Sequence, residues 1–249
     1  MKKLFALLLA TTLLLSLCAC AGTVSTTAEA GSTKAPSSEQ PTGSDQPSGN
    51  PDTQPVPDGT AAEPESTTGE PGSGSHILVV YFSRTGEQYN VGVIDEGNTA
   101  IVAKMIAEKT GADLYEILPE TDYPYTYSAL TDVAKKEQSD NARPTIKGEF
   151  PDLSQYDTVF IGAPVWWGDW PMILYTFFET ADLSGKNLVP FSTHEGSGLS
   201  GFDRKLAAAV PDATVLTGQA FRGNDCQNDK AGVESKVQSW LEDLGYKRR

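Results

Sequence analysis

Only three cysteines and two histidines occur in this chain of 249 residues, no more than three lysines and arginines stand together anywhere in it, and no apolar run reaches membrane-spanning length. Cys18 and Cys20 lie together near the start, so Cys226 stands alone in the rest of the chain. A single thiol cannot close an intramolecular disulfide, and the folded part must therefore stand on its core. His76 and His194 are the only histidines, and no Cys, His or carboxylate grouping has metal-ligand spacing, which argues against a metal centre. The net charge of −14 excludes nucleic acid and anionic lipid surfaces as natural partners. Any electrostatic partner should be basic.

What is present begins with Met1-Lys2-Lys3 and a mostly apolar run over 4–17. That run falls short of the roughly 20 residues a spanning helix needs, and it reads as a secretory signal. It closes on Leu17-Cys18-Ala19-Cys20, which resembles a bacterial lipoprotein cleavage box with Leu three before Cys20 and a small residue just before it. In that reading 1–20 is a lipoprotein signal peptide, Cys20 carries the lipid, and the protein is exported and held on the outer face of a bacterial membrane. An ordinary signal peptide cut nearby is the alternative. Residues 21–75 contain no aromatic side chain and only Val24 and Val56 as larger aliphatics, amid Ser, Thr, Pro, Gly and acids. Such a segment cannot bury enough apolar surface to offset its ordering entropy, so it is expected to be a disordered tether. As a flexible coil it would span about 40 Å. Residues 76–249 are left as one domain, long enough for a sizeable core.

From Ile77 onward strands and helices alternate. Strands are predicted over 77–82, 114–118, 158–162, 187–192 and 213–217, and helices over 99–109, 127–138, 171–180, 199–209 and 229–244. The first, third and fourth strands are nearly continuous apolar runs, as expected where both faces are covered. In the first helix Ile101, Val102, Met105 and Ile106 recur at helical spacing, with Thr110-Gly111 as a stop. The alternation predicts an α/β fold with a parallel sheet, right-handed crossovers and helices on both faces. Ligands of such sheets bind beyond the carboxyl ends of the strands, where strand order reverses.

Three loops fall there. The first holds Ser83, Arg84, Thr85 and Gly86, and then, past 87–97, Asn98 and Thr99, either of which is expected to cap the next helix. Hydroxyls, glycine and a helix N-terminus together suit a phosphate, although Ser, Thr and Gly after a strand more often make only a turn. The second reads Ala163-Pro164-Val165-Trp166-Trp167-Gly168-Asp169-Trp170-Pro171. Three tryptophans so close are hard to bury together. One of Trp166 and Trp170 is expected to pack on the following helix, and Trp167 to offer a flat wall to a planar ligand. The third, 192–198, is polar and glycine-rich; His194 in it suits a hydrogen bond to the ligand or loop better than general-base work. Cys226 falls in a polar stretch, 223–228, which points to an exposed thiol.

On these residues the chain resembles the flavodoxin family: Tyr81-Phe82-Ser83-Arg84-Thr85-Gly86 with Asn98-Thr99, Gly162-Ala163-Pro164-Val165-Trp166-Trp167-Gly168, and Thr193-His194-Glu195-Gly196-Ser197-Gly198. The resemblance covers about 76–246. It implies a flavodoxin-like, doubly wound five-stranded parallel sheet in the order 2-1-3-4-5 and non-covalent FMN. It implies that Ser83, Thr85, Gly86, Asn98 and Thr99 hold the phosphate, with Arg84 in the same cofactor-binding loop. Pro164, Val165, Trp166, Trp167 and Gly168 would flank the isoalloxazine, and His194, Glu195, Gly196 and Gly198 would meet its other side or pyrimidine edge. The implied function is a redox protein at the cell surface, passing electrons to a partner protein or reducing a small acceptor as an NAD(P)H- or quinone-type enzyme. With no lysine or arginine in the ring-facing loops, the anionic hydroquinone should be disfavoured. The alternative is a tethered binding module that keeps the fold without redox chemistry. The chain departs from the family pattern at 87–97, an insertion whose Tyr89, Val91, Val93 and Ile94 suit a small flap over the cofactor.

Overall fold

A computed structural model of the chain describes residues 76–246; the expected signal peptide over 1–20 with Cys20, the expected tether over 21–75, and 247–249 lie outside the described residues. The strands are β1 (Ile77–Tyr81), β2 (Gly86–Gln88), β3 (Gly92–Ile94), β4 (Asp113–Glu116), β5 (Thr158–Pro164), β6 (Asn187–His194), β7 (Thr214–Val215) and β8 (Gln219–Arg222). The helices are α1 (Asn98–Thr110), α2 (Tyr127–Ser139), α3 (Met172–Thr180), α4 (Phe202–Ala209), α5 (Gly223–Asn228) and α6 (Lys230–Asp243).

β1 lies at the centre, with Leu78 opposite Asp113 of β4 and opposite Val159 of β5, both parallel. β6 continues the sheet on the far side of β5, so the order is β4-β1-β5-β6-β7. The alternation of side chains along β1 divides the core. Leu78, Val80 and Phe82 pack with Ile173, Phe177 and Phe202 on one face. Val79 and Tyr81 pack with Ile101, Val102, Val237 and Trp240 on the other. Gly162 in β5 lies against the Phe191 ring of β6; a Cβ there would sit 2.0 Å from Phe191 Cζ. Among the described residues no helix is long and apolar enough to cross a membrane.

The fifth strand differs from the predicted 213–217. Thr214 and Val215 pair with Asn187 and Leu188, and then β8 pairs Gln219–Arg222 with the carboxyl half of β6. The reason lies in β6: Leu216 N donates to Leu188 O at 2.8 Å, so Pro190, two residues on, faces the same neighbour with no N–H to give. Gly218 fills the gap, with room for no more, since a Cβ would meet Pro190 O at 2.6 Å. The 87–97 insertion folds back as the antiparallel pair β2–β3, turning at Asn90 with φ 55°.

Candidate functional site

The insertion separates β1 from α1 in sequence but not in space. Gly97 returns the chain to the β1 turn so closely that a Cβ there would lie 2.1 Å from Ser83 Oγ. Neither Asn98 nor Thr99 caps α1: Gly97 is the cap residue, without a side-chain bond, and Ser83 Oγ accepts from Ala100 N at 3.1 Å in its stead. A helix leaves its first N–H groups without intrahelical partners. No acceptor among the described residues takes those of Asn98 or Thr99. The Thr99 hydroxyl is buried against the Thr193 hydroxyl at 2.8 Å, tying α1 to the end of β6. Asn98 Oδ1 accepts from Gln227 Nε2 at 2.8 Å, which leaves its amide N–H groups as the free polar end.

After β5 the chain makes a two-residue turn closed by Trp166 N to Asp169 O and Asp169 N to Trp166 O, both 2.9 Å. Trp167 and Gly168 occupy its centre at φ 50° and 73°, the conformation of a type I′ turn. A bulky residue at positive φ stores strain, and such outliers cluster at functional sites. Trp167 is 53 % exposed, with Nε1 donating to Thr131 O at 3.0 Å and Lys135 Nζ 5.0 Å from the ring centre. Trp166 packs edge-on against Phe82 and Tyr123. Trp170 is the buried one, stacked on Phe202 at 3.6 Å and edge-on to Phe178 of α3. The loop itself carries no cation, yet Lys135 from α2 and Lys205 from α4 reach its turn, the latter donating to Gly168 O at 2.5 Å.

After β6, His194 Nδ1 accepts from Gly196 N at 2.9 Å, so the neutral ring carries its proton on Nε2. Burial holds the imidazole below its usual value, with Glu195 pulling the other way. Glu195 is tied off: Oε1 accepts from Asn224 N at 2.6 Å and Oε2 from Arg222 Nε at 3.1 Å. Gly198 O accepts from Ser192 Oγ at 3.0 Å.

A cavity of about 460 Å³ opens where these loops meet. Of the residues singled out in the sequence, Asn98, Pro164, Val165, Trp166, Trp167, His194 and Glu195 line it. Ser83, Arg84, Thr85, Gly86, Thr99, Gly168, Gly196 and Gly198 are not among its lining residues. The lining also includes Gln88, Tyr89 and Val91 of the insertion and Tyr127, Leu130, Thr131 and Ala134 of α2, with Thr193, Ser197 and Gly223. These α2 residues were missed in the sequence; the spacing of Tyr127, Leu130 and Ala134 along one helical face is the signal that could have found them. Tyr89 stacks on Tyr127 at 5.6 Å and 28°, joining insertion to helix. Cys226 is fully buried rather than exposed, because the polar stretch around it coils into α5 and turns the thiol inward; burial pushes its pKa up to about 12. Among the described residues no group of acids, histidines or cysteines could hold a metal ion.

The family model for flavodoxin matches residues 76–244. The chain is similar to a protein described as a flavoprotein from Bacteroides eggerthii DSM 20697, at 32% identity over 70% of this chain and 99% of that one, TM-score 0.56. A second, from Bacteroides uniformis ATCC 8492, gives 30% identity over 68% and 99%, TM-score 0.56. A flavoprotein from Lactobacillus acidophilus NCFM, solved in complex with FMN, is more distant at 22% identity, 63% and 97% coverage, and TM-score 0.48. A search of curated proteins gives no match.

Proposed function

The chain belongs to the flavodoxin family, and from that premise we propose that it is a redox protein that binds FMN non-covalently. The observation that carries this is the single cavity joining the amino end of α1, the tryptophan turn after β5 and the His194 loop after β6. Its volume falls in the range of small-molecule sites. The residues present suit both ends of the cofactor. At one end, the unpaired N–H groups of Asn98 and Thr99 meet the positive end of the α1 dipole, a favourable place for a phosphate dianion. Gly97 keeps that approach open where a side chain would displace Ser83. At the other, Tyr89, Tyr127, Trp166 and Trp167 offer aromatic faces, and His194 a neutral N–H donor.

Bound flavin would supply one- and two-electron chemistry, while the protein sets its access and potential. His194 and the Pro164–Gly168 backbone would orient the polar edge. Glu195, already balanced by Arg222, would add little net charge beside it. The walls from the insertion and α2 would keep bulk water from part of the ring. The absorbance spectrum of gently purified full-length protein supplied with FMN tests this: flavin bands that travel with the protein support it, and protein that neither carries nor takes up FMN contradicts it.

We further propose that the protein is exported and held at the cell surface through Cys20, a reading supported by the basic start, the apolar 4–17 run and the Leu17–Cys20 box. Mass spectrometry of the mature N-terminus from the membrane fraction should find lipid-modified Cys20; an intact Met1 there would contradict it.

A further inference from the structure

A cation directly after Ser83 in a phosphate-type turn invites the role of phosphate ligand, yet Arg84 is engaged elsewhere. A guanidinium carries five N–H donors in a rigid fork. Nη1 donates to Glu87 O at 2.7 Å, Nε and Nη2 to Pro124 O at 3.1 and 2.6 Å, and Nη2 also to Tyr125 O at 2.5 Å. Three carbonyls from two segments about forty positions apart thus converge on one side chain. Glu87 completes the joint: its N–H donates to Tyr125 O at 3.1 Å, and its Oε2 accepts from Tyr127 N, the first residue of α2, at 2.8 Å. The contact is close, since a Cβ at Gly86 would sit 2.9 Å from Tyr125 O.

The joint supports one side of the cavity. Gln88, Tyr89 and Val91 from the insertion and Tyr127, Leu130 and Thr131 from α2 all line it. A hairpin with strands of three residues is at best marginal by itself, so its position depends on what holds its base. We propose that Arg84 is a positioning residue for the aromatic side of the cavity and not a ligand of the phosphate: by gripping the carbonyls of Glu87, Pro124 and Tyr125 it holds the Tyr89–Tyr127 wall in place. The proposal rests on the flavin reading for its ligand but not for its geometry. Burial lowers the guanidinium's pKa, as befits a cation whose water has been replaced by carbonyls.

Riboflavin lacks only the phosphate of FMN, so the ratio of the two dissociation constants isolates the phosphate's contribution. Full-length wild type, Arg84→Ala and Arg84→Lys are titrated with each. Arg84→Ala should weaken both ligands together, by roughly tenfold, with their ratio unchanged. Arg84→Lys keeps the charge but cannot fork across three carbonyls, and should lose a similar factor. Selective loss of FMN binding in Arg84→Ala, restored in Arg84→Lys, would overturn the proposal. Amide exchange of the ligand-free proteins gives a second readout. Arg84→Ala should speed exchange in 86–94 and 119–127 while β1, β5 and β6 stay protected; unchanged exchange there would also overturn it. If Arg84→Ala does not fold, Glu87→Ala, which leaves the guanidinium in place, must show the same paired loss, and unchanged affinities would overturn the proposal. A wild type that binds neither ligand contradicts the flavin reading instead, and amide exchange still decides the role of Arg84.

Discussion

The two sides of the cavity are held up by different physics. The side made by 164–167 and 193–197 grows out of β5 and β6, parallel strands buried on both faces and locked by rings such as Phe191 and Trp170. The side made by the insertion and α2 rests on side chains that grip the backbone near the surface, Arg84 donating to carbonyls and Glu87 accepting from Tyr127 N. A wall rooted in the core should fail only with the fold; a hydrogen-bonded wall should come loose alone, because local opening energies fall with the number of buried apolar contacts. Access to the site is therefore expected to be set on the insertion side.

Substitutions can break this contrast. The largest effect is expected at Trp170, fully buried against Phe202 and Phe178: Trp170→Ala should cost about 3–5 kcal/mol in denaturant unfolding. Gly162→Ala drives a methyl into the Phe191 ring and should cost about 1–3 kcal/mol. On the other side Tyr89→Ala, removing a ring 54 % exposed, should change stability by less than about 0.5 kcal/mol while weakening ligand binding several-fold. A cost at Tyr89 comparable to that at Gly162 would erase the distinction between the walls.

The smallest effect concerns Glu137 of α2, where the two sides touch. Its Oε2 accepts from Tyr123 OH at 3.0 Å, and the Tyr123 ring packs on Trp166. Burial raises the Glu137 carboxyl above its ordinary value, against the opposing hydrogen bond. With the folded pKa above the unfolded one, the ionised form is penalised in the folded state; the penalty is absent below the ordinary carboxylate range and grows as pH rises through it. Glu137→Gln should therefore gain stability over wild type between about pH 4 and about pH 7, by no more than a few tenths of a kcal/mol once solvent screening is counted. Parallel pH–stability curves would remove the effect.

The same contrast governs what could be read from sequence. β1, β5 and β6 were legible because a strand covered on both faces is apolar at every position, and α1 because Ile101, Val102, Met105 and Ile106 repeat at helical spacing. The strand-end loops followed from the rule that open parallel sheets bind ligands there. The fold-back of 87–97 could be anticipated from Tyr89, Val91, Val93 and Ile94, but three-residue strands carry too little pattern to give a register. The Arg84 joint was hidden because its acceptors are backbone carbonyls, which leave no trace in side-chain identity. The split of the fifth strand was written in Pro190 and Gly218, and it becomes visible only once the neighbour that Pro190 faces is known. Cys226 misled because a six-residue helix can bury one side chain among polar neighbours.

Whether the three loops and the insertion form one flavin site is decided by equilibrium titration of full-length protein with FMN, followed by tryptophan emission. Quenching should saturate at one FMN per chain and should shrink in Trp167→Phe while binding persists in the flavin absorbance. Emission that stays unchanged at FMN concentrations well above that of the protein would contradict such a site.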